Sequence, residues 1–400
     1  MKVEQHQPNA TIRGLLGAYP VRSTCTLLYA VIALVLACAG QPRSEEVQAT
    51  GKEASLADHR CIPRFPFQSG WWGADAAYSI PLADGRDLWI FGDTLYGDSR
   101  TLKGSDLQMV RNSVGISTCR GDEWKIEYVL RRTPTGKPLD FFQARNRDYW
   151  YWAMDGFYAD GKLYVTLLCI RSKPRSKDNP WGIETCGADL ARVSDLETDP
   201  QDWIVEYFPL TTFEQHAHPS ASAVVDGEYA YVFALKEAGV ARPMLLTRIP
   251  LARLGSPQDG LEYYARDGQW KPGFVPDDAA AVMDAGVSEL SVRYHPRQKK
   301  WIAVQFDPNA AGTILLRSAP QIVGPWTAGR VIYRIPELEK SVREKNPDRA
   351  CYAAKEHPEF GDGNTILVTY VCNSTVPKTL VSQLDLYVPR SVLLPIPPTP

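Results

Sequence analysis

The sequence predicts an all-β protein built as a single five-bladed β-propeller. Hydrophobic residues make up 44% of the 400 residues and charged residues 22%, a balance that allows a sizeable buried core. The 31 prolines and 29 glycines predict many turns and few long helices. A hairpin pattern recurs five times, and radial repetition of such units in a propeller protects the edges of its sheets. A β-sandwich with a second domain is the alternative.

The N-terminal segment predicts export and a lipid anchor. Residues 27–37 form an apolar run that is too short to span a bilayer, preceded by basic residues and followed by small ones, as in a secretory signal peptide. The sequence Val-Leu-Ala-Cys ending at Cys38 resembles a bacterial lipobox, whose cysteine carries the lipid; an ordinary signal peptide is the alternative. We therefore predict a signal peptide over 1–37, lipidation of Cys38 and a flexible tether over 38–58. Because Ala39 is not the aspartate of inner-membrane retention, an outer-membrane lipoprotein is favoured.

Six cysteines remain after Cys25 leaves with the signal peptide and Cys38 takes the lipid. Six cysteines allow fifteen pairings, and the sequence does not choose among them. Proximity favours three disulfides, which are Cys169–Cys186, Cys351–Cys372 and, from the remaining two cysteines, Cys61–Cys119. Metal binding is the competing interpretation, but no Cys-x2-Cys motif or Cys/His cluster is present, so we predict no metal site.

Each of the five hairpins begins at a polar residue and ends in an apolar strand. Four turn at an Asp-Gly pair between alternating hydrophobic residues, which is a strong hairpin signal, and the fourth in order turns near Pro296. The hairpins cover residues 75–94, 155–168, 218–235, 289–306 and 359–372. They predict a propeller over 59–392, followed by a proline-rich tail over 393–400 that is unsuited to a central strand.

The polar residues that begin the hairpins are predicted to meet at one mouth of the propeller channel. Isolated charges are costly to bury, so several acidic residues at strand starts indicate a joint function rather than separate turn caps. The residues concerned are Asp75, Asp155, His218, Glu289 and the pair His357 and Glu359.

The first hairpin contains the predicted catalytic pair. A three-residue loop over 83–85 would place Asp93 directly opposite Asp75, with Cα atoms ~4.5–5.5 Å apart. Directly opposed like charges are destabilising, and two close carboxylates push one pKa up while the other stays ionised, as acid–base catalysis requires. A two-residue turn would put the two side chains on opposite faces. Glu289 and Asp155 are the rival catalytic carboxylates.

Aromatic, amide and charged side chains near these carboxylates are predicted to bind substrate, because aromatic rings stack on the apolar faces of sugars. Core packing between blades is the alternative for each ring. A serine hydrolase is not indicated, since no Gly-x-Ser-x-Gly motif is present. The predicted binding residues are Trp71, Trp72, Arg111, Asn112, Trp152, His218, His357 and Glu359.

The segment WWGADAAYSIPLADGRDLWIFGDTLYGD, followed by RNSVGIS, resembles the opening blade of the bacterial family called domain of unknown function 4185. SELSVRYHPRQKKWIAVQF and EHPEFGDGNTILVTYVCN resemble its later blades. The resemblance implies a five-bladed propeller with endo-D-arabinanase activity and two catalytic aspartates in the first blade, which match Asp75 and Asp93. Related propeller glycosidases place a glutamate on a later blade, which keeps Glu289 as a rival acid.

Together these features predict a surface-anchored glycoside hydrolase that cleaves an arabinan-like or other furanoside polysaccharide, with Asp75 favoured as the base. The alternatives are a catalytically inactive glycan-binding lipoprotein and a partner-binding propeller. We expect a monomer that meets the membrane only through its lipid. The net charge of −2 argues against nucleic-acid binding. No cofactor is required; a structural Ca²⁺ ion fits a propeller glycosidase, although no calcium-loop motif indicates one.

Overall fold

The computed structural model describes residues 61–97, 107–121, 123–177, 179, 182–237, 242–374 and 376–397. Regular structure in these residues is almost entirely β: the strands form six sheets, and each helix is a short turn of three to six residues. The all-β prediction is therefore confirmed. The predicted signal peptide, the lipidated Cys38 and the tether lie outside the described residues.

The first seven strands form a small sheet and a larger one, sheet I. All neighbours are antiparallel, in the order β1-β4-β5 for the small sheet and β2-β3-β6-β7 for sheet I. The strands are β1 (Trp71–Ala74), β2 (Tyr78–Pro81), β3 (Arg86–Phe91), β4 (Thr94–Tyr96), β5 (Gln108–Val110), β6 (Ser113–Arg120) and β7 (Glu123–Val129).

Four antiparallel sheets follow in chain order, and each pairs consecutive strands. Sheet II holds β8 (Tyr149–Ala159), β9 (Lys162–Ser172), β10 (Ile183–Ser194) and β11 (Ile204–Thr212). Sheet III holds β12 (Ala217–Asp226), β13 (Tyr229–Lys236), β14 (Met244–Pro250), β15 (Glu262–Tyr264) and β16 (Trp270–Pro272). Sheet IV holds β17 (Leu290–His295), β18 (Lys300–Phe306), β19 (Thr313–Ala319) and β20 (Arg330–Arg334), and sheet V holds β21 (Arg349–His357), β22 (Thr365–Ser374) and β23 (Arg390–Pro395).

The helices are connections between strands. In the described residues three are α-helical, namely α1 (Pro257–Gly260), α2 (Lys340–Arg343) and α3 (Pro377–Ser382). The 3₁₀ turns of the same residues are Phe213–Gln215, Leu251–Arg253, Pro336–Leu338, Pro358–Phe360 and Leu384–Tyr387.

Sheets I to V are arranged around a centre in the manner of a propeller. Their first strands contact one another in sequence, β2 with β8, β8 with β12, β12 with β17 and β17 with β21, and β21 returns to β2. The hydrophobic core lies between neighbouring sheets: Ile90 packs in one cluster with Leu163, and Leu190 in the next cluster with Val232. Corresponding clusters join sheets III to IV and IV to V. The first strands, with their polar side chains, therefore line the centre of the ring.

The three predicted disulfides are all present. Cys169 bonds Cys186, Cys351 bonds Cys372 and Cys61 bonds Cys119. Cys351 and Cys372 are direct partners across β21 and β22, so this disulfide ties the two strands of a hairpin. Stable disulfides are typical of proteins folded in an oxidising compartment.

Three predicted boundaries are wrong. Strand β8 begins at Tyr149, so Asp155 lies within the strand rather than at its start, and β21 begins at Arg349, so His357 ends a strand. Each of these two strands contains a bulge, which lies between Ala153 and Gly156 in β8 and between Tyr352 and Lys355 in β21. A bulge breaks the alternation of hydrophobic residues by which a strand is recognised in a sequence. The predicted tail also starts too early, because the edge strand β23 continues through the first three of its residues.

Candidate active site

Asp75 and Asp93 oppose each other between two short ladders of paired strands. Ala74 pairs with Thr94 before them and Tyr78 pairs with Ile90 after them, so one register runs through the whole first hairpin. The amide of Asp75 donates to the carbonyl of Asp93 at 2.9 Å, and the amide of Gly92 donates to the carbonyl of Asp75 at 2.9 Å. Gly92 and Asp93 therefore both face Asp75 in a local bulge. This is the register predicted from a three-residue loop.

The carboxyl group of Asp75 lies in an enclosed, negatively charged environment. The hydroxyl of Tyr352 donates to its Oδ1, and the side-chain amide of Asn373 in turn donates to the Tyr352 oxygen at 3.1 Å. Burial raises the pKa of Asp75 well above its usual range, and the charges of Asp93 and Glu289 raise it further. These influences favour the protonated form of Asp75.

Asp93, in contrast, is held by a cation. Trp152 Nε1 donates to its Oδ1 and the Arg111 guanidinium to its Oδ2, both at 3.2 Å. The pKa of Asp93 is raised overall by burial, although the charge of Arg111 and the bond from Trp152 lower it in part. Arg111 is itself fixed, because its guanidinium stacks 4.4 Å above the ring of Trp150. The two carboxyl groups thus have unequal partners.

Glu289 brings a third carboxylate near the pair. Its charge raises the pKa of Asp75, and its side chain is 23% exposed, so solvent can reach it. Nζ of Lys355 lies 3.9 Å from its Oε1. The structure therefore places Asp75, Asp93, Glu289 and Trp152 in one region, as the sequence predicted.

Asp155 does not lie at the mouth, which corrects its prediction as a catalytic rival. Its side chain is fully buried and accepts hydrogen bonds from both terminal nitrogens of Arg293, at 2.9 and 3.0 Å. It also accepts from the Ser222 hydroxyl and from the amides of Gly156 and Ala223 at 2.8–2.9 Å. Asp155 thus links sheets II, III and IV at the centre of the ring, and its oxygens are fully engaged by the protein.

The predicted binding roles of Trp71 and Asn112 are also wrong, because both side chains are completely buried. Trp71 stacks on Tyr128 with ring centroids 4.2 Å apart. Asn112 bonds the amide and carbonyl of Phe142 and the carbonyl of Tyr151, which ties the loop before β8 to that strand. Both residues build the scaffold beneath the site.

Trp72 faces a separate cleft. Its indole N–H donates to the carbonyl of Gly97 at 3.1 Å and its ring packs against Phe67. These two rings, with Gln383 and Asp385, are among the residues that line a cleft of about 560 Å³. Only 8% of Trp72 is exposed, so it offers little ring surface to a ligand.

The predicted histidines are buried within strands. Both ring nitrogens of His357 are hydrogen-bonded, to Ser79 at 2.6 Å and Thr369 at 2.7 Å, and burial lowers its pKa well below its usual value. His218 bonds the hydroxyl of Thr211 at 2.9 Å, and burial lowers its pKa to about 4. Both are neutral structural groups at pH 7, which corrects their prediction as binding residues.

Glu359 lies beyond the far end of β21 from Tyr352, and therefore away from the predicted mouth. Burial raises its pKa to about 7, and the charge of Asp87 adds to this effect. The Glu359 prediction failed for the same reason as that of His357: the bulge in β21 concealed where the strand begins.

A family model described as a domain of unknown function, DUF5005, matches residues 65–392. The chain belongs to the DUF5005 family. The resemblance of the first hairpin pointed instead to domain of unknown function 4185, and membership of that family is not confirmed. No curated protein matches the sequence.

This DUF5005 protein is similar in structure to a provisionally assigned hydrolase from Bacteroides ovatus. The TM-score is 0.62 at 16% identity, over 81% of this chain and 86% of that chain, so the two share a fold. A GH43_1 enzyme from Xanthomonas citri matches with a TM-score of 0.44 at 12% identity, over 84% and 92% of the two chains. The catalytic domain of a GH62 α-L-arabinofuranosidase from Coprinopsis cinerea matches with 0.43 at 10% identity, over 84% and 94%.

Sequence reasoning missed the groups that hold the carboxylates of this DUF5005 protein. Tyr352 and Asn373 come from sheet V, and Tyr387, from a 3₁₀ turn, donates to the carbonyl of Asp93 at 2.9 Å. One signal was available, because the predicted Cys351–Cys372 disulfide already paired the strands that carry Tyr352 and Asn373.

In the described residues no group of three or more His, Cys, Asp or Glu side chains is arranged to hold a metal ion. Within the same ranges, every helix is too short or too polar to cross a membrane.

Proposed function

We propose that the DUF5005 protein is a glycoside hydrolase that cleaves a polysaccharide with Asp75 and Asp93, and that sheets I to V are the five blades of a propeller. The ring of contacts among the five first strands supports the blade assignment. The fold is shared with a provisionally assigned hydrolase. The activity itself is argued from the site.

The observation that carries the proposal is the opposition of Asp75 and Asp93 with unequal partners. Two carboxyl groups whose surroundings push their pKa values apart are the usual acid and base of such sites. Asp75 is enclosed beside two other acids, whereas Asp93 has the guanidinium of Arg111. We therefore assign Asp75 as the general acid and Asp93 as the ionised partner, the reverse of the assignment favoured by the sequence.

Hydrolysis would then use one proton, which Asp75 donates and later regains. Asp75 would give its proton to the glycosidic oxygen as the bond to the anomeric carbon breaks, and Asp93 would stabilise the positive charge that develops on the sugar. Water supplies the new hydroxyl group and returns a proton to Asp75. The anomer released, followed by NMR, would report whether the reaction retains or inverts configuration.

Trp152 is the strongest candidate for a sugar platform. Its N–H is fixed on Asp93 and its side chain is half-buried, so part of the ring surface beside the carboxylate is open to a ligand. The resemblance of the first hairpin favours a furanoside polymer such as an arabinan as the substrate.

The N-terminal sequence supports export and lipidation at Cys38, and the three disulfides fit an oxidising compartment. Expression of the full chain in a Gram-negative host with radiolabelled palmitate tests the anchor. Label should enter the protein and be lost in Cys38→Ser, whereas equal labelling of both would contradict lipidation at this residue.

The soluble protein from about residue 58 onward tests the activity. It would be incubated with D-arabinan, L-arabinan, arabinogalactan and a wider polysaccharide panel, and released oligosaccharides followed by chromatography. Asp75→Asn and Asp93→Asn should each lower the rate by at least about 100-fold, whereas Asp148→Asn, an exposed control, should leave it unchanged.

Three outcomes would contradict the proposal. Release of oligosaccharides that survives in both aspartate variants would assign the chemistry to other residues, and complete loss in Glu289→Gln alone would transfer the acid role to Glu289. No product from any polymer, together with glycan binding that the variants retain, would favour a binding protein.

A further inference from the structure

Two side chains of β21 that are three residues apart both face the centre of the ring. In a regular strand such residues point to opposite faces. The pairing of β21 with β22 shifts between Tyr352 and Lys355, and Ala353 between them has a φ of 59°. The bulge adds one residue, so Tyr352 reaches Asp75 while Lys355 reaches Glu289.

The ammonium group of Lys355 is enclosed. Its side chain is 1% exposed, and Nζ lies 3.9 Å from both the ring centroid of Tyr78 and Oε1 of Glu289. It donates to the carbonyl of Ala353 at 3.4 Å. Burial lowers the pKa of Lys355 to about 8, and Glu289 is the strongest influence in the opposite direction. Burying a charge is costly in free energy unless an opposite charge pairs with it.

The charged and titratable groups around this ammonium come from four of the five large sheets. Asp155 and Arg293 pair with each other and leave little net charge. Arg111 pairs with Asp93 and not with Glu289. Among the described residues, Lys355 is therefore the cation that pairs with Glu289. The full set consists of Asp75, Tyr78, Asp155, Glu289, Arg293, Tyr352 and His357.

We propose that Lys355 is a positioning residue whose enclosed ammonium pairs with the carboxylate of Glu289 and thereby offsets part of the negative charge that Asp75 meets. The catalytic meaning of this inference rests on the proposed function, but the coupling itself is a property of the folded protein. Through it, Lys355 controls the pH range in which Asp75 can donate a proton.

The coupling is measured by carboxyl NMR on the soluble protein with ¹³C-labelled Asp and Glu, assigned with Asp75→Asn and Glu289→Gln. Lys355→Met removes the charge at similar length and should raise the titration midpoint of Asp75 by about one pH unit, because the charge of Glu289 is then no longer offset. Lys355→Arg should restore the original midpoint. Lys236→Met, a control at a lysine paired with Asp277 away from the site, should leave that midpoint unchanged. A midpoint of Asp75 that moves by less than about 0.2 pH unit in Lys355→Met would overturn the proposal.

Activity gives a separate readout. On a cleaved polymer, Lys355→Met should lower kcat and move the pH profile in the direction of the NMR shift, with KM retained. If the wild-type protein cleaves no polymer, the proposed function fails while the titration still decides the role of Lys355. If Lys355→Met does not fold, Glu289→Gln tests the same coupling, because the midpoint of Asp75 should then fall; an unchanged midpoint would overturn the proposal.

Discussion

Replacement of Asp155 by asparagine tests whether the centre of the ring is a structural ion pair. The carboxylate accepts five hydrogen bonds, two of them from Arg293. Every partner is a donor, so an asparagine amide would present N–H groups to donors. The guanidinium of Arg293 would also remain buried without a counter-charge.

The expected loss of stability is large. Removal of one partner from a buried ion pair costs about 3–5 kcal/mol, compared with a total stability of about 5–15 kcal/mol for a folded domain. Asp155 is 0% exposed and Arg293 14%, so solvent screens this pair little. With a urea slope of about 3 kcal/mol/M, the midpoint of unfolding should fall by about 1–1.7 M.

Urea unfolding followed by tryptophan fluorescence measures this change. Asp259→Asn, at an exposed position, should move the midpoint by less than about 0.2 M and serves as the matched control. A loss below about 1 kcal/mol for Asp155→Asn would refute the reasoning. If Asp155→Asn kept wild-type stability but lost hydrolysis, Asp155 would again be a candidate catalytic residue.

Three further predictions follow from close contacts, cross-links and burial. A Cβ at Gly92 would lie 3.2 Å from the Cβ of the candidate acid, so Gly92→Ala should lower kcat about ten-fold, whereas Gly255→Ala, with no atom within 4 Å, should match wild type in the same assay. Replacing Cys351 and Cys372 together by serine should cost about 2–4 kcal/mol in urea unfolding, because the closed loop constrains the unfolded chain; an unchanged midpoint would contradict this. Burial lowers the pKa of His218 to about 4, so the unfolded state binds the proton first and stability should rise from pH 4 to 6.5; a pH–stability curve that His218→Asn leaves unaltered would argue against it.

The parts of the fold that depend on local pattern were predictable. The Asp-Gly turn and the alternating residues predicted the first hairpin with two possible turn lengths, and the three-residue loop, which places Asp75 opposite Asp93, is the one that forms. Two disulfides followed from proximity in the sequence, because Cys169–Cys186 and Cys351–Cys372 each join neighbouring strands, and the third was assigned from the two remaining cysteines. Such features are local, so they leave a signal in neighbouring residues.

The bulges were not predictable. Ala353 adopts a positive φ that alanine rarely takes, and nothing in its residue type marks that conformation. The single residue it adds turns Lys355 inward and hides the start of β21. Tyr387 was missed for another reason, since its contact with Asp93 joins segments 294 residues apart in the sequence.

The candidate active site joins residues from the two ends of the described chain. Asp75 and Asp93 belong to the first hairpin, but Tyr352 and Tyr387 come from beyond sheet IV. The same ends also meet where the hydroxyl of Ser391 donates to the carbonyl of Pro63 at 2.8 Å. A chain interrupted after sheet IV would keep both carboxylates, with Arg111 and Trp152 on Asp93, but would lack Tyr352 and Tyr387. Under the proposed function, a chain that lacks sheet V should therefore be inactive.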